Sequence, residues 1–490
     1  MIGRRPRTPL ALATAALLAA CTVGPDYRAP TTTVPAGFGG PEGDAAVRQP
    51  VAEWWTTFGD PTLDSLVDRA VRANPDLRAA QARIRAARAR RGVVAADALP
   101  SVDAGAGASR SRTSDHISDY PGSTSDLFQA GFDAVWELDV FGGVRREVEA
   151  ADADLAASVE DRRDVLVTLL AEVARDYVEL RASQRQREIA RANLRTQRET
   201  LALTRERQVG GVATDLDVAR AETQVAATES TIPGFESSER VAAHALAVLL
   251  GEPPNALLGE LSADAPIPGR PTEVPVGLPS DLLVRRPDIR RAERRLAAAT
   301  ARIGAAESDY FPSFSLTGAF GLASDGLGDF VDSGSRTASG GAAVRWRVLD
   351  FGRIEGNVEI RTAAEEQAAA EYEATVLAGL REVEDALVLY AKERERRDAL
   401  ARAERASARA FSLANQLWSA GSTDFLSVLD AQRNLFLAQD ALVQSDRRAA
   451  LDLVALYKAL GGGWETDTGP AADGGQGGPG TRTFDLSGSK

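Results

Sequence analysis

The sequence states its architecture twice. At an offset of 210 residues, "WELDVFGG" (Trp136–Gly143) is answered by "WRVLDFGR" (Trp346–Arg353), with Trp, Phe and Gly in register. "LAEV" (Leu170–Val173) is answered by "LREV" (Leu380–Val383), and "GVATDLDVARA" (Gly211–Ala221) by "GSTDFLSVLDA" (Gly421–Ala431). Upstream the offset is 212: "NPDL" (Asn74–Leu77) matches "RPDI" (Arg286–Ile289), and Leu99-Pro100-Ser101 matches Phe311-Pro312-Ser313. The two-residue slip falls between Pro100 and Trp136, where a variable loop would sit. The period is far too long for a solenoid, so the chain is an internal duplication of one supersecondary unit.

Each half repeats one order of elements. Thr62–Ala98 has helical composition, broken at Asn74-Pro75, where a new helix can start with proline in its first turn. Two strand-like runs follow. In Phe128–Val140, Phe128, Ala130, Phe132, Ala134, Trp136, Leu138 and Val140 alternate with Gln129, Gly131, Asp133, Val135, Glu137 and Asp139. In the second half Phe314, Leu316, Gly318 and Phe320 alternate with Ser313, Ser315, Thr317 and Ala319, and Val344, Trp346 and Val348 with Arg345 and Arg347. Ser101–Arg112, rich in Gly, Ala and Ser, gives only a weak strand signal. Such period-two alternation fits a transmembrane β-strand with lipid outside and water inside; it also fits a half-buried strand of a soluble sandwich.

Long helices come next. Residues 122–232 and 313–469 contain no proline. Leu166, Leu170, Val173, Tyr177 and Leu180 follow a 3.5-residue repeat, and Val376, Leu380, Val383, Leu387 and Tyr390 follow it again, so these helices supercoil against neighbours. Alone, the heptads would also suit a dimeric coiled coil. A helix over Val144–Gln208 would be about 100 Å long. Gly210-Gly211 ends it, with Thr214 or Asp215 able to cap the next helix, and Gly421 followed by Asp424 repeats the device. Each half therefore closes in a helical hairpin with a glycine tip.

The single cysteine, Cys21, sits behind a basic stretch (Arg4, Arg5, Arg7) and a short apolar run (Pro9–Ala20) with the pattern of a secretory signal. Leu18-Ala19-Ala20-Cys21 resembles the bacterial lipobox, which implies diacylglycerol and an N-acyl chain on the cysteine, and Thr22 in place of aspartate implies the outer membrane. Removing residues 1–20 takes three arginines and moves the net charge from −13 to −16, a poor match for nucleic acid. Past the signal no apolar run reaches transmembrane-helix length, so further insertion would have to be β-structure.

No catalytic constellation is visible. His116 and His244 are the only histidines, far apart and without metal-ligand spacing around either. "GGVATD" lacks the Gly-Lys-Ser/Thr ending of a phosphate loop. The remaining carboxylates read as solvated helix faces.

Four strands in lipid leave two open edges and cannot enclose a channel, so several copies must share a barrel. Two copies would give eight strands, whose interior side chains fill, and three would give twelve, with room for a water-filled lumen, so the polar inward faces favour a trimer without fixing it. These residues together resemble the TolC-like outer membrane factor family, in its lipoprotein branch serving tripartite (RND-type) efflux. The resemblance is carried by "CTVGPDY", "EWWTTFGDPTLDSLVDRAVRANPDLRAA" (Glu53–Ala80), "LPSDLLVRRPDIRRAERRLAAATARIGAAESDYFPSFSLTGAFG" (Leu278–Gly321) and "AGSTDFLSVLDAQRNLF" (Ala420–Phe436). It implies a mostly α fold with transmembrane β-structure: a homotrimer whose four strands per chain complete a twelve-stranded barrel above an α-helical periplasmic tunnel. It implies a Gram-negative outer-membrane location, with a periplasmic adaptor and an inner-membrane pump as partners.

By the same resemblance, Gly210, Gly211 and Gly421 are the adaptor-contacting tips. Leu426, Asp430 and Arg433 are the apolar plug, acidic ring and basic partner of a pore constriction. Ser427 stands where some members carry a second acid, which puts a double acidic ring in doubt; Arg220, the repeat counterpart of Asp430, is a further neutralising candidate. The expected organisation is a signal at 1–20, a lipidated segment at 21–60, repeats at 61–255 and 281–464 around a linker at 256–280, and a disordered tail at 465–490. An exit duct for small-molecule efflux is the expected function, without enzymatic activity, metal or cofactor beyond the Cys21 lipid. A protein-secretion duct and a lipid-anchored coiled-coil scaffold are the competing readings.

Overall fold

Two helical hairpins of equal dimensions dominate the computed structural model, which describes residues 22–39, 52–116, 122–269, 274 and 277–466. The expected signal segment (residues 1–20), Cys21 and the glycine-rich tail from residue 467 lie outside the described residues. In chain order the elements are α1 (Pro61–Ala73), α2 (Pro75–Ala96), β1 (Ser101–Arg112), β2 (Thr124–Leu138), α3 (Gly143–Val209) and α4 (Asp215–Leu249). After the linker come α5 (Pro279–Arg285), α6 (Pro287–Glu307), β3 (Ser313–Ser324), β4 (Arg336–Arg345), α7 (Arg353–Ser419) and α8 (Phe425–Ala459). Helices α3 and α7 each have 67 residues, and α4 and α8 each have 35. At 1.5 Å per residue the longer pair run for about 100 Å.

The caps follow from local chemistry. Asn74 ends α1 and accepts from the Asp76 and Leu77 amides, opening α2 with Pro75 in its first turn. Thr214 and Asp217 form a reciprocal capping box on α4, and Asp424 accepts from the Ser427 amide to start α8. The duplication reaches the backbone: Gly142 and Gly352, Gly211 and Gly421, and Gly251 and Gly461 all have positive φ. Trp136 Nε1 donates to the Ala98 carbonyl and Trp346 Nε1 to the Tyr310 carbonyl, both at 3.0 Å, so corresponding tryptophans are fastened to the segments that follow α2 and α6.

The strands form one antiparallel sheet in the order β1-β2-β3-β4. The pairing runs from Ser101↔Val135 to Arg112↔Thr124, from Phe128↔Ser324 to Leu138↔Phe314, and from Ser313↔Arg345 to Leu322↔Arg336. The halves thus meet at the β2–β3 seam, while β1 and β4 are open edges. Phe132 stands opposite Phe320, and both rings are exposed. Two strand ends differ from the alternation. β2 stops at Leu138, short of Val140, whose amide turns back to the Leu138 carbonyl at 2.8 Å. β4 stops at Arg345, so Trp346 and Val348 stand outside it: their partner strand begins at Ser313, opposite Arg345, and offers no further backbone.

Both heptad series drain into one core. Leu166, Leu170, Val173, Tyr177 and Leu180 are buried with Val376, Val383, Leu387 and Tyr390, and Leu380 packs against them. Trp54, Trp55, Phe58, Leu63 and Leu66 close the same core, and Trp54 stacks on Tyr457 with ring centroids 5.2 Å apart. Each fully buried Leu side chain contributes about 1.5–3 kcal/mol. The 3.5-residue repeat thus marks a core shared by several helices rather than the seam of a two-helix coiled coil.

Candidate functional site

The far ends of the hairpins, remote from the sheet, gather most of the singled-out residues. At the first tip Gly210 is still in right-handed helical geometry (φ −74°), and Gly211 takes φ +75°. The Gly211 amide bonds Gln208 O at 2.9 Å and the Val212 amide bonds Arg207 O at 2.8 Å. That is a Schellman stop, which needs a residue free to adopt a left-handed backbone. At the second tip Gly421 (φ +72°) bonds Trp418 O at 3.0 Å and the Ser422 amide bonds Leu417 O at 2.8 Å. Gly211 and Gly421 are therefore structural equivalents, whereas Gly210 is matched by Ala420.

The two tips are joined within the chain. The Arg207 guanidinium lies 4.1 Å over the Trp418 ring and donates to the Trp418 carbonyl at 3.2 Å. Trp418 packs on Phe425 (5.2 Å) in a small buried cluster with Leu201, Ala221, Val428 and Leu429. Nothing in the sequence pairs Arg207 with Trp418; an arginine and a tryptophan each just short of a hairpin glycine are the only local signal. Outside the clamp, Val209, Val212 and Leu216 are exposed, giving the tips apolar surface.

Along α8 the structure brings Leu426, Asp430 and Arg433 onto one face, which continues to Leu437. The opposite face buries Phe425, Val428, Leu429, Gln432 and Leu435. Leu426 and Leu437 are exposed. Arg433 Nη2 donates to Asp430 Oδ1 at 2.7 Å, and Asn434 Nδ2 donates to Asp430 Oδ2 at 3.0 Å. Ser427 belongs to the helix cap: its hydroxyl donates to Asp424 Oδ1 at 2.6 Å. The hydroxyl and amide of Ser427 hold the Asp424 carboxyl below the usual carboxylate range, and the nearby Arg220 charge acts in the same direction. Within one chain Arg220 thus bears on Asp424, and Asp430 is paired by Arg433.

His116 is exposed four residues after the end of β1, and His244 is half-buried in α4. Among the described residues no group of three or more His, Cys, Asp or Glu side chains is arranged to hold a metal ion. No helix of the described residues is long and apolar enough to cross a membrane.

Comparison with known proteins decides what these hairpins and strands belong to. The profile of the family described as "Outer membrane efflux protein" matches residues 66–252 and 278–462. The chain belongs to the outer membrane efflux protein family. One matched stretch falls in each half of the duplicated chain. The pyoverdine export outer membrane protein OpmQ of Pseudomonas putida is 36% identical over 441 residues, covering 89% of this chain and 93% of the relative. The antibiotic efflux pump outer membrane protein ArpC of Pseudomonas putida is 35% identical, covering 94% and 96%. Among solved structures, the outer-membrane channel OprN superposes with a TM-score of 0.86 at 38% identity, covering 91% of this chain and all of that one. This outer membrane efflux protein is a channel of the Gram-negative outer membrane whose helical hairpins extend into the periplasm.

Proposed function

We propose that the chain is the exit duct of a tripartite efflux system. Three copies assemble into a twelve-stranded barrel above a helical tunnel, and small molecules delivered by an inner-membrane pump pass through it. A periplasmic adaptor docks at the tips around Gly210, Gly211 and Gly421. Leu426, Asp430 and Arg433 line the narrowest part of the tunnel, where three Asp430 carboxylates around one axis favour cations and resist closure unless paired. Cys21 carries diacylglycerol and an N-acyl chain, and the protein catalyses no reaction.

The observation that carries this reading is the four-stranded sheet with two unpaired edges, β1 and β4, and exposed Phe132 and Phe320 on one face. An edge left open in lipid is too costly to persist, and closure by further copies satisfies it. The exposed stripe Leu426–Asp430–Arg433 supports the constriction because the packing of α8 already uses its other face. Thr22, the first residue after Cys21, lies against Gly142 where β2 passes into α3, which suits a lipid at the membrane boundary. Small-molecule efflux is favoured over protein secretion because antibiotic and toluene efflux pumps are named among the relatives.

The test is the native mass of detergent-extracted protein from fractionated membranes, followed by conductance in a planar bilayer. A trimer from the outer-membrane fraction that passes ions is expected. A non-conducting monomer or dimer would favour the lipid-anchored scaffold and sink the duct.

A further inference from the structure

We propose that β4 of one copy pairs with β1 of the next in the register that β2 and β3 already display, setting Arg347 opposite the neighbouring copy's Asp103 and seating Phe351 on that copy's Leu99 and Val102. The proposal rests on the trimeric reading above and adds to it a register and named contacts. It follows from the duplication: β4 repeats β2 at an offset of 210 and β1 repeats β3 at an offset of 212. The β2–β3 seam inside the chain is therefore a template for the β4–β1 seam between chains. Glu137↔Ser315 becomes Arg347↔Asp103, Leu138↔Phe314 becomes Val348↔Val102, and Trp136↔Leu316 becomes Trp346↔Ala104.

Three observations fit the transferred register. The first is charge. Asp103 stands directly opposite Asp133 across β1–β2, a like-charge pairing that destabilises a sheet unless a counter-charge is near. Arg347 forms no ion pair among the described residues. Continued alternation puts it on the face that carries Asp103 and Asp133, so one arginine from the adjacent copy would stand beside both carboxylates. The same transfer that turns a Glu–Ser pair into an Arg–Asp pair was not selected for charge; it is dictated by the two offsets.

The second is aromatic packing. Phe141 stacks on Phe311 with centroids 4.6 Å apart and lies 6.5 Å from Phe314. Its repeat counterpart Phe351 is 91% exposed and holds a left-handed backbone (φ 56°). A non-glycine residue pays for that conformation in local strain and keeps it where surroundings hold it. The counterparts of Phe311 and Phe314 are Leu99 and Val102, which are 65% and 63% exposed. Both halves of an apolar contact are present, on opposite edges of one chain.

The third is strand length. β2 reaches Leu138 because Phe314–Leu316 of β3 pair with its last residues. β4 ends at Arg345, and the counterparts of Phe314–Leu316 are Val102–Ala104 on the β1 edge. In the assembly β4 continues through Val348, restoring the alternation of Val344, Trp346 and Val348.

Cysteine pairs in the full-length chain, oxidised in its native membrane, test the register; the unaltered chain, with Cys21 alone, sets the background. Asp103→Cys with Arg347→Cys is compared with two slipped pairs on the same face, Ser101→Cys or Gly105→Cys with Arg347→Cys. Directly opposite positions have Cα atoms about 4.5–5.5 Å apart, which suits a disulfide, and diagonal ones about 7–8 Å. The expected result is covalent dimers and trimers on a non-reducing gel for the first pair, several-fold above either slipped pair. Stronger linkage in a slipped pair overturns the register, as does no linkage in a chain whose native mass is still that of a trimer. A native mass below three copies for the unaltered chain would instead overturn the trimeric reading. If the cysteine chains do not assemble, charge exchange decides: Arg347→Asp lowers the temperature at which the assembly dissociates, and adding Asp103→Arg restores it. Failure to restore overturns the pairing.

Discussion

Asp430 and Arg433 are joined at 2.7 Å, one turn apart on the exposed face of α8, and Asn434 completes the carboxylate from the other side. The pair has a consequence for conduction. Removing Arg433 leaves Asp430 with only a neutral donor, so in the proposed trimeric constriction three uncompensated charges would face one another across the lumen. Arg433→Ala is expected to raise conductance and shift selectivity toward cations in a planar bilayer, and Asp430→Asn in the same chain to abolish that shift. Both side chains are more than half exposed, so either change moves stability by less than about 1 kcal/mol. Identical ion selectivity in all three proteins would remove Asp430 from the constriction.

The tip glycines separate backbone need from docking. Gly211→Ala and Gly421→Ala place a Cβ in open space but force alanine to positive φ, at about 1 kcal/mol each. Gly210→Ala keeps a helical φ, and its Cβ would meet Arg207 O at an ordinary 3.5 Å. Gly210→Ala should therefore melt like the parent while bulkier Gly210→Leu, also helix-compatible, weakens adaptor co-purification and efflux. Unimpaired co-purification and efflux with Gly210→Leu would place the adaptor contact elsewhere.

Burial pushes the Asp452 carboxyl up to about 6, with the Glu393 charge on α7 adding to the rise and Arg448 opposing it. An ordinary Asp titrates near 3.9. The folded protein therefore holds more protons than the unfolded chain between about pH 4 and about pH 6, and this site's contribution falls as pH rises through that window. Asp452→Asn is expected to raise stability by about 1 kcal/mol at pH 7.5, discounted for solvent screening, and to leave it unchanged at pH 4. Thermal melts in detergent at the two pH values measure the difference. An equal shift at both would mean that the group does not titrate as described.

What the sequence made legible was whatever repeats or obeys local chemistry. The heptads at Leu166–Leu180 and Val376–Tyr390 point inward as their spacing requires, and Asn74, Thr214 and Asp424 cap helices where short polar side chains precede helical runs. β1 was barely legible because Gly, Ala and Ser carry no facial pattern; its position comes from pairing with β2. Within one chain β4 ends at Arg345, before its alternation does, because its partner strand has run out there, and the sequence pattern carries no sign of that limit. Arg207 over Trp418 could not be read at all, since a contact 211 residues apart depends on how two hairpins lie together.

The segment after Cys21 bears on how the protein holds the membrane. The Val23 amide donates to Phe141 O at 3.1 Å, Arg146 Nε donates to Val23 O at 3.1 Å, and Arg146 Nη2 pairs with Asp26 at 2.7 Å. Tyr27 adds a hydrogen bond to Glu293 on α6 at 3.0 Å. These contacts fasten the N-terminal segment without any help from a lipid. Three acyl chains would add durable anchoring where one is marginal, but a closed barrel is anchored by its own apolar girdle. Cys21→Ala behind an ordinary cleavable signal is therefore expected to reach the outer-membrane fraction and keep its native mass. Arg146→Ala in that background should free residues 22–27 to added protease while the assembly persists, because the β2–β3 seam and the hairpin core do not involve Arg146. Complete loss of membrane association in the Cys21→Ala protein would refute the barrel and leave the lipid as the sole anchor.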